Sequence, residues 1–483
     1  MFDFEYDESS ERGNTDDLVQ AYEASLRGDG GGFFDSEDLE HIATFYFEAG
    51  RLEDALDVVD RQLEQSPGSS DSWMRRGILL NHMERHPEAL EAYNQALTFN
   101  PTDPESLINR GITLDTLGHL GESLVDFDAA LAVDPLLSDG HFNRGIVLEK
   151  MGAYDDAVVA LERCAEVDPE HPEVWYELGY CYDQLGRLDD SVKAYDRQTD
   201  VDPFAQNAWY NRGIVLNRLG RYEEAVSSYD FATAIEDSFS SAWYNRGNAL
   251  ANLGDSNGAA ESYLKVLEQE DGDAATYYNL GLAYDEMGNA STAVEYFRRA
   301  VADDADYADA WYGMGCALDA LGHYADALAS FGRAILLRPN ESEYWHARAD
   351  TEYNAGRIAD SLNAYERVVS LDANNKDAWL DLAETRLEAG YQQGALAAFS
   401  QVVRLDPTSS EAYLRQAWAL ASVGQRENAA RSLRRAAELD PSRADEIRRA
   451  YPDLWSDSRV GGFSPTGLSQ SGFTPRPSGD ESS

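Results

Sequence analysis

Five asparagines stand in one row along this chain: Asn109, Asn143, Asn211, Asn245 and Asn279 are separated by one constant interval or by twice that interval. A carboxamide holds a donor and an acceptor together, so such a row can pair with the N–H and C=O groups of an extended peptide whatever its side chains. Just before the asparagines, at the same interval, runs a row of amphipathic rings, Tyr176, Tyr210, Tyr244, Tyr278 and Tyr312. Just after the asparagine slot comes a row of acids, Asp115, Glu149, Asp183, Asp285 and Asp319. The chemistry these rows offer is recognition, by backbone hydrogen bonding, aromatic contact and attraction for lysine or arginine; the alternative is that the asparagines are solvated or bonded between adjacent helices and the tyrosines packed between repeats. Nothing comparable suggests a reaction. His82 and His86 are four apart, but Pro87 sets a turn where a metal-gripping helix would have to run. The cysteines, Cys164, Cys181 and Cys316, show neither CxxC spacing nor an even count. No glycine-rich phosphate loop stands out, so no catalytic residue, cofactor or metal is expected.

The interval belongs to the whole chain. Trp209-Tyr210-Asn211-Arg212-Gly213 returns one interval later as Trp243-Tyr244-Asn245-Arg246-Gly247. The same register runs without insertion from Ser36 to Arg443, which is twelve repeats. With each repeat numbered from 1 to 34 and the first starting at Ser36, position 4 holds seven of the nine tryptophans. Position 8 is always Gly or Ala, position 20 always Ala or Ser, and position 15 is Gly except for Glu84 in the second repeat. A glycine there suits a helix C-cap, and a proline closes most repeats at position 32. Each repeat therefore reads helix A, turn, helix B, stop. Positions 4, 7, 8 and 11 share the inner face of helix A, and positions 2, 5, 6, 9, 12 and 13 the opposite one. One repeat cannot bury its apolar face alone, so neighbours must stack into a solenoid.

Tryptophan at 4, small residues at 8 and 20, an aromatic at 24, alanine at 27 and proline at 32, recurring at this period, resemble the tetratricopeptide repeat family across all twelve copies. The resemblance implies an all-α fold, a right-handed α-solenoid superhelix whose A helices line the concave side. The asparagine row is similar to the asparagine ladder in the tetratricopeptide superhelix of O-linked N-acetylglucosamine transferases. There it holds a client backbone, and the catalytic domain of those enzymes has no counterpart here. Asp237, Asp271, Ala305 and Ala373 stand where proline is expected, and softer joints are expected at those repeats. Arg75 and Arg415 alone do not make the family's clamp for a peptide carboxylate.

Acids need sorting by helix end. Pairs such as Glu53-Asp54 and Glu223-Glu224 open helix B, where the helix dipole favours them. The acids of position 12 close helix A, where it does not, so they are expected to face a basic partner. With 39 Lys and Arg against 88 Asp and Glu, the net charge is −49, which disfavours nucleic acid and anionic membrane as partners. The reading is a scaffold binding an extended, basic or neutral polypeptide along its concave groove, in the cytoplasm, with oligomerisation open. The alternative is a structural, self-assembling protein of a salt-loving cell, whose four lysines against 35 arginines and excess acid reflect solubility in concentrated salt. The expected layout is an acidic disordered segment at 1–15, a capping helix and linker at 16–35 and the array at 36–443. A closing helix at 444–454 and a Gly/Ser/Pro-rich disordered tail at 455–483 follow.

Overall fold

The turn between the two helices of a repeat sets the architecture. In the computed structural model, which describes residues 8–27, 33–443 and the single positions 445, 449 and 452, eleven glycines at position 15 have φ between 71° and 81°. At the first of them the Gly50 N–H donates to the Phe47 carbonyl at 3.0 Å and the Arg51 N–H to the Tyr46 carbonyl at 2.8 Å. This double bond closes helix A and turns the chain back on itself. The second repeat makes the same turn with Glu84 at φ 58°, and its bonds, Glu84 N–H to Asn81 and Arg85 N–H to Leu80, are intact at 2.9 and 2.8 Å.

Twelve helix pairs follow, α2 to α25, after an opening helix α1 (Glu8–Arg27). Every B helix starts at position 17, and every A helix starts at position 1 except α10 (Val174–Gln184), which begins two residues late behind Pro172. No strand occurs among the described residues, and the fold is the expected all-α solenoid. The chain divides into two compact units, Met1–Asp237 and Ser238–Ser483. The division falls at Asp237, one of the four proline-less repeat ends.

Within each unit, helix A lies against its own helix B so closely that position 8 has no room for a large side chain. A Cβ at Gly77 or Gly213 would meet a ring carbon of the position 24 tyrosine, Tyr93 or Tyr229, at 2.5 Å. At Gly281 and Gly315 it would meet Phe297 and Phe331 at 2.6 Å. Those rings are fully buried. The serines of position 20 use the same close approach: Ser123 and Ser191 donate to the carbonyls of Gly111 and Gly179 at 2.8 and 2.7 Å. Ser361 is equally buried, but its hydroxyl finds no partner among the described residues.

Successive repeats are joined at two points. The tryptophan of position 4 donates from Nε1 to the carbonyl of the preceding position 32, at 2.9 Å for Trp73 to Pro67 and 3.1 Å for Trp209 to Pro203. Ala305 and Ala373 accept the same bond at 2.9 and 3.0 Å, so this closure needs the carbonyl and not the proline ring. In the fourth repeat His141 stands in the tryptophan slot and reaches the Pro135 carbonyl at 3.0 Å. The second joint is ionic. Arg76, Arg144 and Arg212, all at position 7, pair with Asp60, Asp128 and Asp196 of the preceding helix B at 2.6–2.8 Å.

The opening helix departs from the repeat in phase and length. It begins at Glu8, ahead of the expected start at Asp16. Ala21, which the repeat offset sets in the place of buried Ala55, is exposed, while Val19 and Tyr22 turn inward. These larger apolar side chains remove more surface from water than Ala21 could, and Tyr22 seats edge-on against Phe34 at 5.3 Å. The glycine joint at 28–32, the tail at 455–483 and the closing helix, apart from positions 445, 449 and 452, lie outside the described residues.

Two predictions test these contacts. A left-handed backbone costs a non-glycine residue about 1–2 kcal/mol, partly offset by the extra freedom glycine has when unfolded. Glu84→Gly should therefore stabilise its repeat by about 0.5–1 kcal/mol, seen as several-fold slower amide hydrogen exchange in α4 (Ser70–His82) and α5 (His86–Phe99). Ser191→Ala should cost about 1 kcal/mol of local stability by the same measurement, whereas Ser361→Ala, which removes an unsatisfied buried hydroxyl, should be neutral or stabilising.

Candidate interaction surface

One contact recurs on the outer face of the A helices: a side chain at position p meets position p+1 of the next repeat. In the first unit the Asn211 Nδ2 on α12 (Gln206–Arg218) donates to the Tyr176 hydroxyl on α10 at 3.0 Å. In the second unit the Asn279 Nδ2 on α16 (Ala274–Glu286) donates to the Tyr244 hydroxyl on α14 (Ser240–Asn252), again at 3.0 Å. Two of the expected rows thus meet as rungs, asparagine from one repeat and tyrosine from the repeat before.

Each tyrosine is held from behind by the aromatic of position 24 in its own repeat. Ring centroids lie 5.9 Å apart for Tyr176 and Tyr195, 6.1 Å for Tyr210 and Tyr229, and 5.8 Å for Tyr244 and Tyr263. Tyr278 and Tyr312 rest in the same way on Phe297 and Phe331 at 5.9 Å. All five are half-buried, so part of each ring packs behind the rungs and part stays open to solvent. Burial raises the hydroxyls of Tyr176 and Tyr244 above the ordinary phenol range, which keeps each a protonated donor at neutral pH.

The asparagine row is not uniform. Asn109 and Asn245 occupy the expected slot and are half-buried. The Asn143 amide turns back along its own helix to the Asp139 carbonyl at 2.8 Å. The interruption at Glu177 has its own partner: this carboxyl hydrogen-bonds with Glu149, a member of the acid row on α8 (Ser138–Lys150). Burial first, and then the Glu149 charge, push Glu177 up to about 8. Burial also raises Glu149. The pair therefore shares a proton at neutral pH, and at this rung a carboxylic acid supplies the donor that asparagine supplies elsewhere.

The acid row is largely internal, which corrects its reading as an open edge. Asp115 is bound by Lys150 at 2.7 Å and its side chain is only 16% exposed. Asp183, 18% exposed, is bound by Arg218. Both cations stand at position 13 of the next repeat, so the unfavourable helix-end charge is met within the chain. Burial raises Asp285 and Asp319, and Asp319 Oδ1 has no hydrogen-bond partner among the described residues. Arg75 and Arg415 are likewise committed, to Glu40 and to Glu384 and Glu411. The acids opening helix B behave as expected of helix-end charges: Glu88, Asp190 and Glu224 are clamped by Arg85, Arg187 and Arg221 at 2.6–2.9 Å, which lowers all three.

One set of residues escaped the sequence reading. His346 at position 5 and Asp381 at position 6 of the next repeat take the tyrosine and asparagine places of a rung, at 2.9 Å. Asp350 lies one turn beyond His346 on the same helix, 4.0 Å from its Nε2. The signal was present as a His-x-x-x-Asp spacing with an acid one step past the equivalent place in the next repeat, but it appears only once the p to p+1 contact is known. The pair His82 and His86 does not form a site: His86 faces Asn81 at 3.1 Å, while His82 packs on Phe47 at 5.0 Å. Burial pushes the thiols of Cys164, Cys181 and Cys316 up to about 12, far from thiolate.

Models of the tetratricopeptide repeat match residues 70–103, 148–237, 240–271 and 285–443 of the chain, well over half its length. The chain belongs to the tetratricopeptide repeat family. Its arrays are scaffolds for contact between proteins. No curated protein matches the chain. Solved structures similar to parts of it include YrrB, described as a tetratricopeptide repeat protein with an unusual peptide-binding site. The two share 19% identity over 39% of this chain and 96% of that one, with a TM-score of 0.36. MamA from Desulfovibrio magneticus shares 24% identity over 35% of this chain and 96% of its own, TM-score 0.34. The Cut9–Hcn1 complex of APC/C matches 82% of this chain and 91% of that one at 16% identity, TM-score 0.39. Among the described residues no helix is long and apolar enough to cross a membrane.

The shared proton at Glu177 gives a pH test. Between the ordinary carboxyl value of 4.5 and about 8 the native state keeps a proton that the unfolded chain has released. Stability is then fully present below pH 4.5 and is lost as pH rises through 8. Glu177→Gln keeps the hydrogen-bonding shape without the titration. It should melt several degrees above the natural protein at pH 8–9 and at the same temperature near pH 4.5, as followed by circular dichroism.

Proposed function

We propose that this chain is a non-enzymatic protein-interaction scaffold that takes extended segments of other polypeptides along the outer faces of its A helices. The observation that carries this reading is the asparagine–tyrosine rung, made at the same length in both units by Asn211 with Tyr176 and by Asn279 with Tyr244. The rung uses an asparagine N–H and a tyrosine lone pair. It leaves the asparagine Oδ1 to accept from a peptide N–H and the tyrosine hydroxyl to donate to a peptide C=O. Fixed by the ring behind it, each rung offers these groups without the entropy cost of ordering a free side chain. A backbone-reading device tolerates many sequences. The preference for basic or neutral segments rests on the net charge of −49 and on Asp285 and Asp319, which form no ion pair with a lysine or arginine among the described residues.

The test is a selection of random dodecamer peptides on the full chain, followed by titration of the recovered peptides by fluorescence anisotropy. Asn211→Ala and Asn279→Ala, each confined to one unit, should weaken binding about fivefold for roughly 1 kcal/mol of lost hydrogen bonding. Melting should change little, because the lost rung is offset in part by the better helix propensity of alanine. Raising salt should weaken binding of lysine- and arginine-containing peptides. Peptides whose affinity ignores both substitutions, or a chain that selects none and self-associates in high salt, would overturn this reading in favour of an assembly protein.

A further inference from the structure

The rung formed by His346 and Asp381 differs in kind from the others, because it brings an imidazole and carboxylates together where amide and phenol stand elsewhere. His346 and Asp350 lie one helical turn apart on α20 (Ser342–Asn354), so both side chains leave the same face of that helix. Asp381 reaches them from α22 (Lys376–Glu388). One ligand atom from each of the three lies within 4.8 Å of the other two. The His346 Nε2 faces both carboxylates, at 2.9 Å from Asp381 Oδ2 and 4.0 Å from Asp350 Oδ1. Two donors bound about 2.0–2.2 Å from one ion stand roughly 3 Å apart, which is the His346–Asp381 separation as it stands. Asp350 must close by about 1 Å, turning a side chain that is half exposed and that carries the Tyr365 hydroxyl with it.

Two further observations ask for a cation here. Neither Asp350 nor Asp381 has a lysine or arginine within ion-pair reach among the described residues, whereas the position 12 acids Asp115 and Asp183 of the first unit are each met by one. The charges of Asp319 and Asp377 add to the same region, and Asp319 Oδ1 is buried without a partner. Behind the site the Tyr365 hydroxyl on α21 (Ile358–Leu371) donates to Asp350, and its ring stands edge-on to the imidazole at 5.8 Å. That is the outer support which orients ligands around a bound ion.

We propose that His346, Asp350 and Asp381 form a binding site for a divalent transition-metal ion of the zinc type. Imidazole nitrogen with carboxylate oxygen suits zinc, cobalt or manganese over calcium and magnesium, which take oxygen donors alone. Three protein donors leave the remaining coordination positions to water. The proposal stands apart from peptide binding, since none of its observations requires a bound segment.

The experiment uses the full chain, stripped with chelator and held in excess Mg2+ to occupy the general acidic surface, then titrated with Zn2+ against a chromophoric competitor. The expected result is one Zn2+ per chain at micromolar or tighter affinity. Binding should weaken at least tenfold in His346→Ala and in Asp381→Asn and stay unchanged in His86→Ala. Tyr365→Phe should weaken it less. Co2+ in place of Zn2+ should give a visible absorption band that vanishes in His346→Ala. Circular dichroism melts in chelator check that each variant is folded, with His346→Gln replacing any His346→Ala protein that is not. Failure of the natural protein to take up one Zn2+ in the presence of Mg2+ would overturn the proposal. So would equal Zn2+ affinity in the folded His346 and Asp381 variants, which would leave the site a histidine–aspartate ion pair.

Discussion

The outer face of the A helices depends on how near helix A comes to helix B at position 8. Because a Cβ on Gly213 would stand 2.5 Å from a ring carbon of Tyr229, that ring fills the space that a larger residue at position 8 would take. It becomes the floor on which the position 5 tyrosine rests, Tyr210 on Tyr229 and Tyr176 on Tyr195. The tyrosine so fixed is what the next repeat's asparagine finds at 3.0 Å. A chain of dependence runs from a missing methyl group, through a buried ring, to the polar atoms at the surface. In interiors packed at crystal-like density a displacement at the first link is passed on.

The basic residues of this molecule are largely committed locally. Arginines of position 16 clamp acids of position 19, arginines of position 7 bridge to aspartates of the preceding helix, and Lys150 and Arg218 meet Asp115 and Asp183. Such exposed pairs are each worth little, but they decide which acids remain available. With 88 acids against 39 lysines and arginines most of the excess stays spread over the surface; half-buried acids left without a cation gather at Glu149 with Glu177, where a proton is shared, and around His346.

Much of the fold was legible because it depends on backbone and volume. The glycine of position 15, the small residues of positions 8 and 20 and the tryptophan of position 4 each answer one local demand and recur at one period. The helix pairs could be read directly from them. The opening helix was legible in kind but not in phase, since Val19 and Tyr22 outweigh the repeat offset that pointed to Ala21. The outer face of the A helices was legible in residue type and illegible in contact. Helical geometry sets Asn211 and Asp115 on the outer face, but whether they meet a partner or the next repeat depends on the stagger between neighbouring A helices. That stagger advances the contact by one residue per repeat, and it turned Asp115 and Asp183 inward while bringing His346 to Asp381.

The same stagger separates what can be exchanged among the repeats from what cannot. The helix–turn–helix frame of a repeat is set within its own length, apart from the tryptophan's reach to the preceding carbonyl and the position 7 arginine's to the preceding helix B, and any copy can supply it. The polar face is written across seams: half of each rung belongs to one copy and half to its neighbour. Removing the whole repeat from Ser138 to His171 would rejoin frame to frame without a gap, yet it would set Asp115 opposite Gln184 where Lys150 now stands. Gain and loss of whole repeats, which solenoids tolerate as a matter of stability, would thus rewrite recognition at every new junction. The copies serve as interchangeable bricks, and the message lies in the mortar.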